Sequence, residues 1–334
     1  MNQPKVKTLG FKTGERNVFF HLLTACNLSC CHCYINPEQH GKSSVSRETM
    51  LDWLKLFAAP DKKTNVIFLG GEPTMHPNLA LGIKTARKLG YQSITVDTNG
   101  YLFHDLLDNI SPGDAVISFS LDGPDPEIND PIRGQDVFRV CTDNLKKAIS
   151  LGFDVSVIYT VSRMNIDHLH RMAPLLKSLQ VKRFFIQVIG IRGKSASSEN
   201  DLQLTPEEWL SVIPQAAADA ADMGIEVIYP KVFLDRHETF ACGGKEAENY
   251  FIFPNGRVYR CPLCEDFPIN SLRIDKNKLI KNEGLTEDRF FELNIPEGCV
   301  MNKLLQPGNI SYDAHGNPLH RISCCLIKQE MKNS

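Results

Sequence analysis

Four of the eleven cysteines lie between Cys26 and Cys33, and their spacing could support metal chemistry. Cys26, Cys30 and Cys33 follow a C-x3-C-x2-C pattern. Three thiolates on one loop can ligate three irons of a [4Fe–4S] cluster, which leaves one iron open, as in catalytic metal sites generally. Such an iron could bind the amino and carboxylate groups of a methionine moiety and pass an electron to its sulfonium. A structural zinc site is the alternative. Cys31 lies inside the two-residue gap, so we interpret it as a bystander.

A second group of six cysteines lies between Cys242 and Cys325, whereas Cys141 stands alone and is predicted to be a small buried residue. The residues Tyr250–Phe253, the turn Pro-Asn-Gly and the residues Arg257–Arg260 predict a β-hairpin. This hairpin would bring Cys242 close to Cys261. Clustered cysteines in a chain without an export signal indicate metal ligands rather than disulfides.

Short apolar runs alternate with amphipathic segments over the first two-thirds of the chain. This alternation predicts parallel strands with helices packed outside them. An open doubly wound sheet and a TIM-like barrel both fit, and we favour an α/β fold with a partial (β/α)6 TIM-like barrel. The predicted strands are Asn17–Leu23, Asn65–Leu69, Ser93–Asp97, Ala115–Leu121, Val155–Val161 and Arg183–Ile189. The predicted helices are Ser46–Ala58, Asn78–Leu89, Val137–Leu151, Ile166–Leu179 and Pro206–Met223.

Residues suited to chemistry follow four successive predicted strands. The cysteine loop follows the first strand, Gly70–Pro73 the second, Thr98–Gly100 the third and Ser120–Asp122 the fourth. Active sites of such folds lie at the carboxyl ends of the strands. We therefore expect these four segments to meet at one end of the sheet.

The alternation stops near residue 230, and the remaining chain is richer in Cys, Gly, Pro and Asn. We predict a barrel domain over residues 1–230. We also predict a small cysteine-rich domain, stabilised by a bound metal, over residues 231–334.

The first cysteine loop, followed by Gly-Gly-Glu-Pro at residues 70–73, resembles the signature of the radical S-adenosylmethionine (SAM) superfamily. The resemblance implies that Cys26, Cys30 and Cys33 hold a [4Fe–4S] cluster and that SAM is a co-substrate. It also implies a one-electron donor such as flavodoxin or ferredoxin.

The resemblance further implies a set of SAM contacts. His32 would pack near the adenine, and the Gly70-Gly71-Glu72-Pro73 turn would bind the methionine amino group. The Ser-Leu-Asp-Gly stretch and the later Arg-Gly resemble related maturases, in which the Ser and the Arg contact SAM. This resemblance implies SAM contacts for Ser120 and for Arg133. The planar guanidinium of an arginine can form two parallel hydrogen bonds to a carboxylate. Asp122 would bind the ribose or the substrate, or cap the turn.

The spacing from Cys242 through Gly256 to Cys261 resembles the opening of twitch and SPASM auxiliary-cluster domains, but the later SPASM cysteine run is absent from the sequence. We therefore expect one auxiliary [4Fe–4S] cluster. Its implied ligands are Cys242, Cys261 and Cys264, with Cys324, Cys325 or Cys299 as the fourth and Cys324 preferred. A zinc site and a second, partly ligated cluster are the alternatives.

The composition of the chain limits the classes of binding partner that can be expected. The net charge is −2, and charged residues make up 23% of the chain, so no basic footprint favours nucleic acid or a membrane surface. No apolar stretch approaches the roughly 20 residues of a membrane span, and residues 1–16 lack the core of a secretion signal. We expect a cytoplasmic enzyme.

The auxiliary pattern favours an oxidative or bond-forming modification of a peptide or protein. The alternative is a small-molecule radical SAM dehydrogenase, decarboxylase or biosynthetic enzyme, which the short N-terminal segment fits. No general base or other catalytic side chain could be assigned.

Five further residues received simpler interpretations. His21 is expected inside the barrel, Asn165 as the N-cap of the helix after it, and Trp209 in the core. Arg192 and Lys194 are expected to be solvated residues at the edge of the barrel, with Arg192 close to the mouth of the active site.

Overall fold

The protein is described here by a computed structural model that covers residues 5–103, 105–197 and 202–333. Its thirteen described strands belong to one sheet, in the order β1-β13-β8-β7-β6-β5-β4-β3-β2-β9-β10-β11-β12. The strands are β1 (Lys5–Leu9), β2 (Glu15–His21), β3 (Lys63–Leu69), β4 (Ser93–Thr98), β5 (Val116–Ser120), β6 (Val155–Val161), β7 (Arg183–Val188), β8 (Glu226–Pro230), β9 (Glu248–Ile252), β10 (Arg257–Tyr259), β11 (Leu272–Asp275), β12 (Lys278–Lys281) and β13 (Lys328–Lys332).

Strands β2 to β8 are parallel and neighbour one another in chain order. This order does not reverse as it would in a doubly wound sheet, so the chain turns in one direction, as in a barrel. The terminal strands of the sheet, β1 and β12, do not pair with each other. The predicted α/β partial barrel is therefore confirmed, with β8 and β9 as additional parallel strands.

Helices cover one face of this sheet. The α-helices are α1 (Pro37–His40), α2 (Arg47–Phe57), α3 (Leu79–Lys88), α4 (Leu106–Asn109), α5 (Pro126–Arg133), α6 (Val137–Ser150), α7 (Met172–Ser178), α8 (Pro206–Asp222), α9 (Gly243–Glu246), α10 (Asp288–Phe291) and α11 (Val300–Leu305). Short 3-10 turns span Pro73–Met75, Ile166–Arg171, Gly193–Ser197, Pro262–Cys264 and Pro307–Asn309. No described helix is long and apolar enough to cross a membrane.

The two faces of the sheet differ in burial. In β3, Val66 and Phe68 are fully buried, whereas Ile67 and Leu69 are only half-buried. The buried set packs against the helices and forms the main core, and the half-buried set faces the concave side of the partial barrel. The period of two in a strand therefore separates core residues from residues that a ligand can reach.

Local signals set the helix ends. The Ser46 side chain caps α2 by accepting from the Thr49 backbone N–H at 3.1 Å, and Thr205 and Glu208 form a reciprocal capping box on α8. The predicted helix Ile166–Leu179 is instead a 3-10 turn followed by α7. Pro174 explains the break, because it lacks an N–H and its ring would clash with an earlier carbonyl in a continuous α-helix.

The segment after residue 230 joins both ends of the barrel sheet. Strand β9 pairs in parallel with β2, and β10 pairs with β9 in the predicted hairpin, with Val258 opposite Ile252. At the other end, β13 lies between β8 and β1 and is antiparallel to both. A second hydrophobic cluster, which includes Phe253, Leu263 and Phe291, packs around the later cysteines. The division at residue 230 stays a prediction.

Candidate active site at the carboxyl ends of the strands

The chain between β2 and Cys26 is held by direct backbone pairing to the Gly-Gly-Glu turn. The Gly71 N–H donates to the Leu23 carbonyl at 2.8 Å, and the Glu72 N–H donates to the Ala25 carbonyl at 3.0 Å. A Cβ on Gly71 would lie 2.0 Å from the Ala25 oxygen, and one on Gly70 would lie 2.2 Å from that of Leu23. The two glycines therefore permit the close approach of their own backbone to that of Leu23 and Ala25.

Cys26, Cys30 and Cys33 influence one another electrostatically. Burial raises the pKa of the Cys30 thiol to about 11, and neighbouring thiolates add to that rise. The Leu28 backbone N–H donates to the Cys26 sulfur at 3.4 Å. Over the described ranges, no three His, Cys, Asp or Glu side chains gather tightly enough for one metal ion. Three neighbouring thiols, one with an N–H donor to its sulfur, form a donor set that fits the implied iron–sulfur cluster.

Cys31 faces a different environment. Its sulfur lies 3.7 Å from the Met164 sulfur, and its backbone N–H donates to the Ile132 carbonyl at 3.0 Å. Burial raises the pKa of its thiol, and the largest charge effect on it comes from Asp122. This orientation agrees with the interpretation of Cys31 as a bystander.

The Glu72 carboxylate is enclosed at the end of β3 and is 1% exposed. Its Oε1 accepts hydrogen bonds from the Thr74 N–H at 3.0 Å, the Thr74 hydroxyl at 2.7 Å and the Thr98 hydroxyl at 2.8 Å, and its Oε2 accepts from the Asn99 N–H at 2.7 Å. Burial raises the pKa of Glu72 despite these bonds. The carboxylate is fixed in place by β4, and its Oε2 can accept a further donor such as an ammonium group.

Asp122 is the central side chain of the site. It is fully buried after β5, and its Oδ2 lies 2.7 Å from both the His32 Nε2 and the Arg133 Nε. The Thr160 backbone N–H donates to its Oδ1 at 2.7 Å. Burial would raise the pKa of Asp122, but Arg133 and His32 outweigh it and lower the pKa. One carboxylate thus orients both the residue before Cys33 and the last residue of α5.

The predicted SAM contacts therefore meet at one end of the sheet. His32 and Arg133 converge on Asp122, Gly70–Pro73 pairs with the chain that enters the cysteine loop, and Ser120 ends β5 on the half-buried face. Asp122 anchors two side chains and not only a turn. Their contacts to SAM stay predictions.

Two asparagines support the site: Asn99, which lies in the segment Thr98–Gly100 expected at this end of the sheet, and Asn165, for which only a helix cap was expected. Asn99 donates from Nδ2 to the Cys26 sulfur at 3.6 Å and to the Asn27 Oδ1 at 2.9 Å. Asn165 is not a side-chain N-cap: its Oδ1 accepts from the Ser162 N–H at 2.8 Å, and its Nδ2 donates to the Asp122 carbonyl at 3.0 Å. A polar residue just after a strand end was the available signal for both.

Asp97 and His21 face the concave side below the cysteine loop. Burial raises the pKa of Asp97 to about 7, although Ser118, its register partner on β5, donates a hydrogen bond to it. The His21 Nε2 lies 2.9 Å from the Tyr34 hydroxyl, and the ring stacks on Phe253, as expected of a residue inside the barrel. Over the described ranges, no lysine or arginine pairs with Asp97, and the nearby Glu72 carboxylate raises its pKa further.

The later cysteines come together in the second hydrophobic cluster. A narrow apolar cavity is walled by the side chains of Phe240, Leu263, Phe291 and Met301 and by five cysteines, namely Cys242, Cys261, Cys299, Cys324 and Cys325. Cys264 is fully buried beside Cys261 and is not in this wall. The hairpin thus places Cys242 and Cys261 at one cavity, as the sequence predicted.

Backbone donors and one acidic side chain surround these thiols. The Gly243 N–H donates to the Cys324 sulfur at 3.4 Å. Glu287 is fully buried and accepts from the Arg260 N–H at 2.7 Å, the Cys261 N–H at 3.1 Å and the Ser271 hydroxyl at 2.8 Å. Burial raises the pKa of Glu287 to about 7. A thiol-rich, apolar cavity with N–H donors to sulfur fits a buried iron–sulfur cluster.

Comparisons with known proteins agree with this geometry. The probable GTP 3′,8-cyclase of Saccharolobus solfataricus is 28% identical over 200 residues, which cover 58% of this chain and 63% of that protein. The structure of Streptococcus suis SuiB bound to precursor peptide SuiA has a TM-score of 0.66 and 12% identity, over 89% of this chain and 66% of SuiB. The structure of anSMEcpe with bound AdoMet has a TM-score of 0.60 and 16% identity, over 79% of this chain and 78% of that one.

The chain thus spans less than two-thirds of the cyclase and of SuiB, and at these identities the structural likeness is one of fold. The model of the radical SAM superfamily matches residues 21–176, which contain the first cysteine loop, Glu72, Asp122 and Arg133. This superfamily implies a [4Fe–4S] cluster and SAM, and the thiols of the loop fit that cluster. Residues 21–176 therefore carry a radical SAM domain.

Proposed function

We propose that this protein reductively cleaves SAM and uses the resulting 5′-deoxyadenosyl radical to abstract a hydrogen atom from a peptide or protein substrate. The net reaction is an oxidative or bond-forming modification. The observation that carries the first step is the convergence of the cysteine loop, the Glu72 turn and the Asp122 pair with Arg133 at one end of the sheet.

In this proposal the chain's own residues bind and orient SAM. Cys26, Cys30 and Cys33 would hold a [4Fe–4S] cluster, which when bound supplies the electron for SAM cleavage. Glu72 accepts the methionine ammonium, Arg133 faces the methionine carboxylate, and His32 lies beside the adenine. Asp122 fixes His32 by a hydrogen bond and Arg133 by an ion pair, so neither side chain has to be ordered when SAM binds.

The second cysteine group is proposed to hold an auxiliary [4Fe–4S] cluster. The cavity wall supports Cys242, Cys261 and Cys324 as ligands, and it favours Cys299 or Cys325 over Cys264 as the fourth. Those cysteines would hold the cluster beside the barrel strands, and the chemistry it would supply when bound is one-electron oxidation, which favours a net oxidative reaction. A flavodoxin or ferredoxin would supply the first electron.

A peptide substrate is supported by the extent of the fold likeness. That likeness reaches 89% of the chain, well beyond residues 21–176, and SuiB was solved with a precursor peptide. The alternative, a small-molecule substrate, is favoured by the sequence identity to a probable GTP 3′,8-cyclase over 58% of the chain.

Anaerobic reconstitution tests the proposal. Wild-type protein with SAM and dithionite should form 5′-deoxyadenosine, and mass spectrometry should then detect a modified peptide in a synthetic library but unchanged GTP. Cys261→Ala should still form 5′-deoxyadenosine, lose the substrate reaction and bind about four fewer irons than wild type. The proposal fails if wild-type protein with a full iron complement forms no 5′-deoxyadenosine. Conversion of GTP would support the small-molecule alternative.

A further inference from the structure

Arg192 lies in a short segment, residues 190–197, that follows β7 and is wedged between the two cysteine regions. The segment is closed on itself, because the Arg192 N–H donates to the Ser195 hydroxyl at 2.8 Å and this hydroxyl donates to the Gly190 carbonyl at 2.9 Å. The Arg192 side chain is 13% exposed, which overturns its interpretation as a solvated edge residue. A buried guanidinium requires partners, and these lie on both sides of the segment.

The segment contacts the first cysteine loop at three places. The Lys194 N–H donates to the Cys33 carbonyl at 2.9 Å, and the Lys194 Nζ donates to the Ser29 hydroxyl at 2.5 Å. The Arg192 guanidinium carbon lies 5.1 Å from the centroid of the Tyr34 ring, a cation–π distance. Gly193 has a φ of +55°, and a Cβ there would lie 2.7 Å from the Cys33 carbonyl oxygen. The loop and the segment therefore fit together without room for adjustment.

The same segment contacts the residues that follow Cys261. The Arg192 Nη1 donates to the Pro262 carbonyl and to the Glu265 carboxylate, which is 2% exposed. The Gly193 N–H donates to the Asp266 Oδ2 at 2.9 Å. One guanidinium thus joins the ring beside Cys33 to the turn that contains Cys261.

We propose that Arg192 is a positioning residue for SAM cleavage. Its side chain fixes the position of the first cysteine loop relative to the turn Pro262–Asp266 of the second cysteine group. The planar guanidinium group of an arginine can donate hydrogen bonds to two acceptors and stack over an aromatic ring at the same time, whereas a lysine ammonium cannot. The placement of the two cysteine regions relative to each other therefore depends on this side chain. The inference rests on the SAM cleavage proposed above but not on the substrate class.

The test compares Arg192→Lys and Glu265→Gln with Arg183→Lys as the matched control. Arg183 pairs with Asp154 at 2.6 Å, but both side chains are partly exposed, at 34% and 57%. In each reconstituted protein we would measure hydrogen exchange of the peptide spanning residues 29–36, the EPR spectrum of the reduced protein with and without SAM, and 5′-deoxyadenosine formation. Iron content checks that each protein is loaded.

We expect Arg192→Lys to bind iron as wild type does, with exchange over residues 29–36 about tenfold faster. SAM should change its EPR spectrum less than in wild type, and 5′-deoxyadenosine formation should fall about tenfold or more, as expected for misplaced reacting groups. Arg183→Lys should match wild type in every measurement. Because both residues belong to one bridge, the Arg192→Lys, Glu265→Gln double variant should be no worse than Arg192→Lys alone.

Wild-type exchange and EPR spectra in both Arg192→Lys and Glu265→Gln would overturn the proposal, as would additive effects in the double variant. If Arg192→Lys does not fold, Glu265→Gln alone decides, since it leaves the guanidinium in place and removes only the charged partner. If wild-type protein cleaves no SAM, the proposed function fails, but the exchange comparison still decides the role of Arg192.

Discussion

The two cysteine regions are built in opposite ways. The first places three thiols on one loop of eight residues, between Cys26 and Cys33, and surrounds it with charged and polar groups from several strand ends. The second draws its cysteines from separate segments around residues 242, 261, 299 and 324 and encloses them in apolar side chains. The first is therefore a local structure that needs orientation, and the second is a tertiary structure that exists only once the chain has folded.

The largest expected effect tests whether the first loop acts through three thiols. Cys30→Ala should lower 5′-deoxyadenosine formation more than a hundredfold, because one ligand of the proposed cluster is lost. Cys31→Ala is the matched control, since its sulfur contacts Met164, and it should keep most of the wild-type rate. The measurement is product formed per bound iron. An equal loss in both variants would mean that four thiols serve the site.

A smaller effect tests whether charge orients the first region. Asp122→Asn leaves Arg133 buried without its carboxylate and should cost about 3 kcal/mol of unfolding free energy. Because the pKa of Asp122 is lowered in the folded protein, its stabilisation is present above the ordinary pKa of 3.8 and is lost as the pH falls below it. Denaturant unfolding of wild type and variant should therefore converge at low pH.

Asp136→Asn is the control for this experiment, because its pair with Arg139 is exposed and 3.9 Å long. It should change the unfolding free energy by less than about 0.5 kcal/mol. A wild-type stability in Asp122→Asn would contradict the view that this carboxylate holds the site together.

The smallest effect concerns Asp97, a buried carboxylate on β4. Its folded pKa of about 7 exceeds the ordinary 3.8, so the folded state binds the extra proton and wild-type stability falls as the pH rises through this window. Asp97→Asn should therefore gain about 2–3 kcal/mol relative to wild type between pH 5 and pH 8. Asp143→Asn, on the exposed face of α6, should show no such trend in the same unfolding measurements. A pH-independent difference for Asp97→Asn would mean that a cation compensates this carboxylate.

The contrast between the regions also explains what the sequence could predict. Strands β2 to β7 were predicted to within about two residues, because their alternation records the core on one side. The three-cysteine loop and the segments that contact it each follow the end of a strand, so their meeting at one end of the sheet could also be predicted from the sequence. In contrast, β13 reads Lys-Gln-Glu-Met-Lys, and only its pairing with β8 and β1 makes it a strand.

The misplaced side chains have a common cause. Arg192 looked like a solvated charge because its partner Glu265 is distant in sequence. Asn165 looked like a helix cap because its bond to the Asp122 carbonyl is not local. Long-range contacts leave no pattern in spacing or periodicity.

The position of β13 has a consequence for how the protein is made. This last described strand fills the gap between β8 and β1, and the whole second cysteine region lies between β8 and β13 in the chain. During synthesis, β8 therefore has an open hydrogen-bonding edge until β13 has left the ribosome, which slows folding and exposes the nascent sheet to aggregation. The first cysteine loop and its supporting strands emerge long before that step, whereas the sheet is completed only after the second cysteine region has been synthesised.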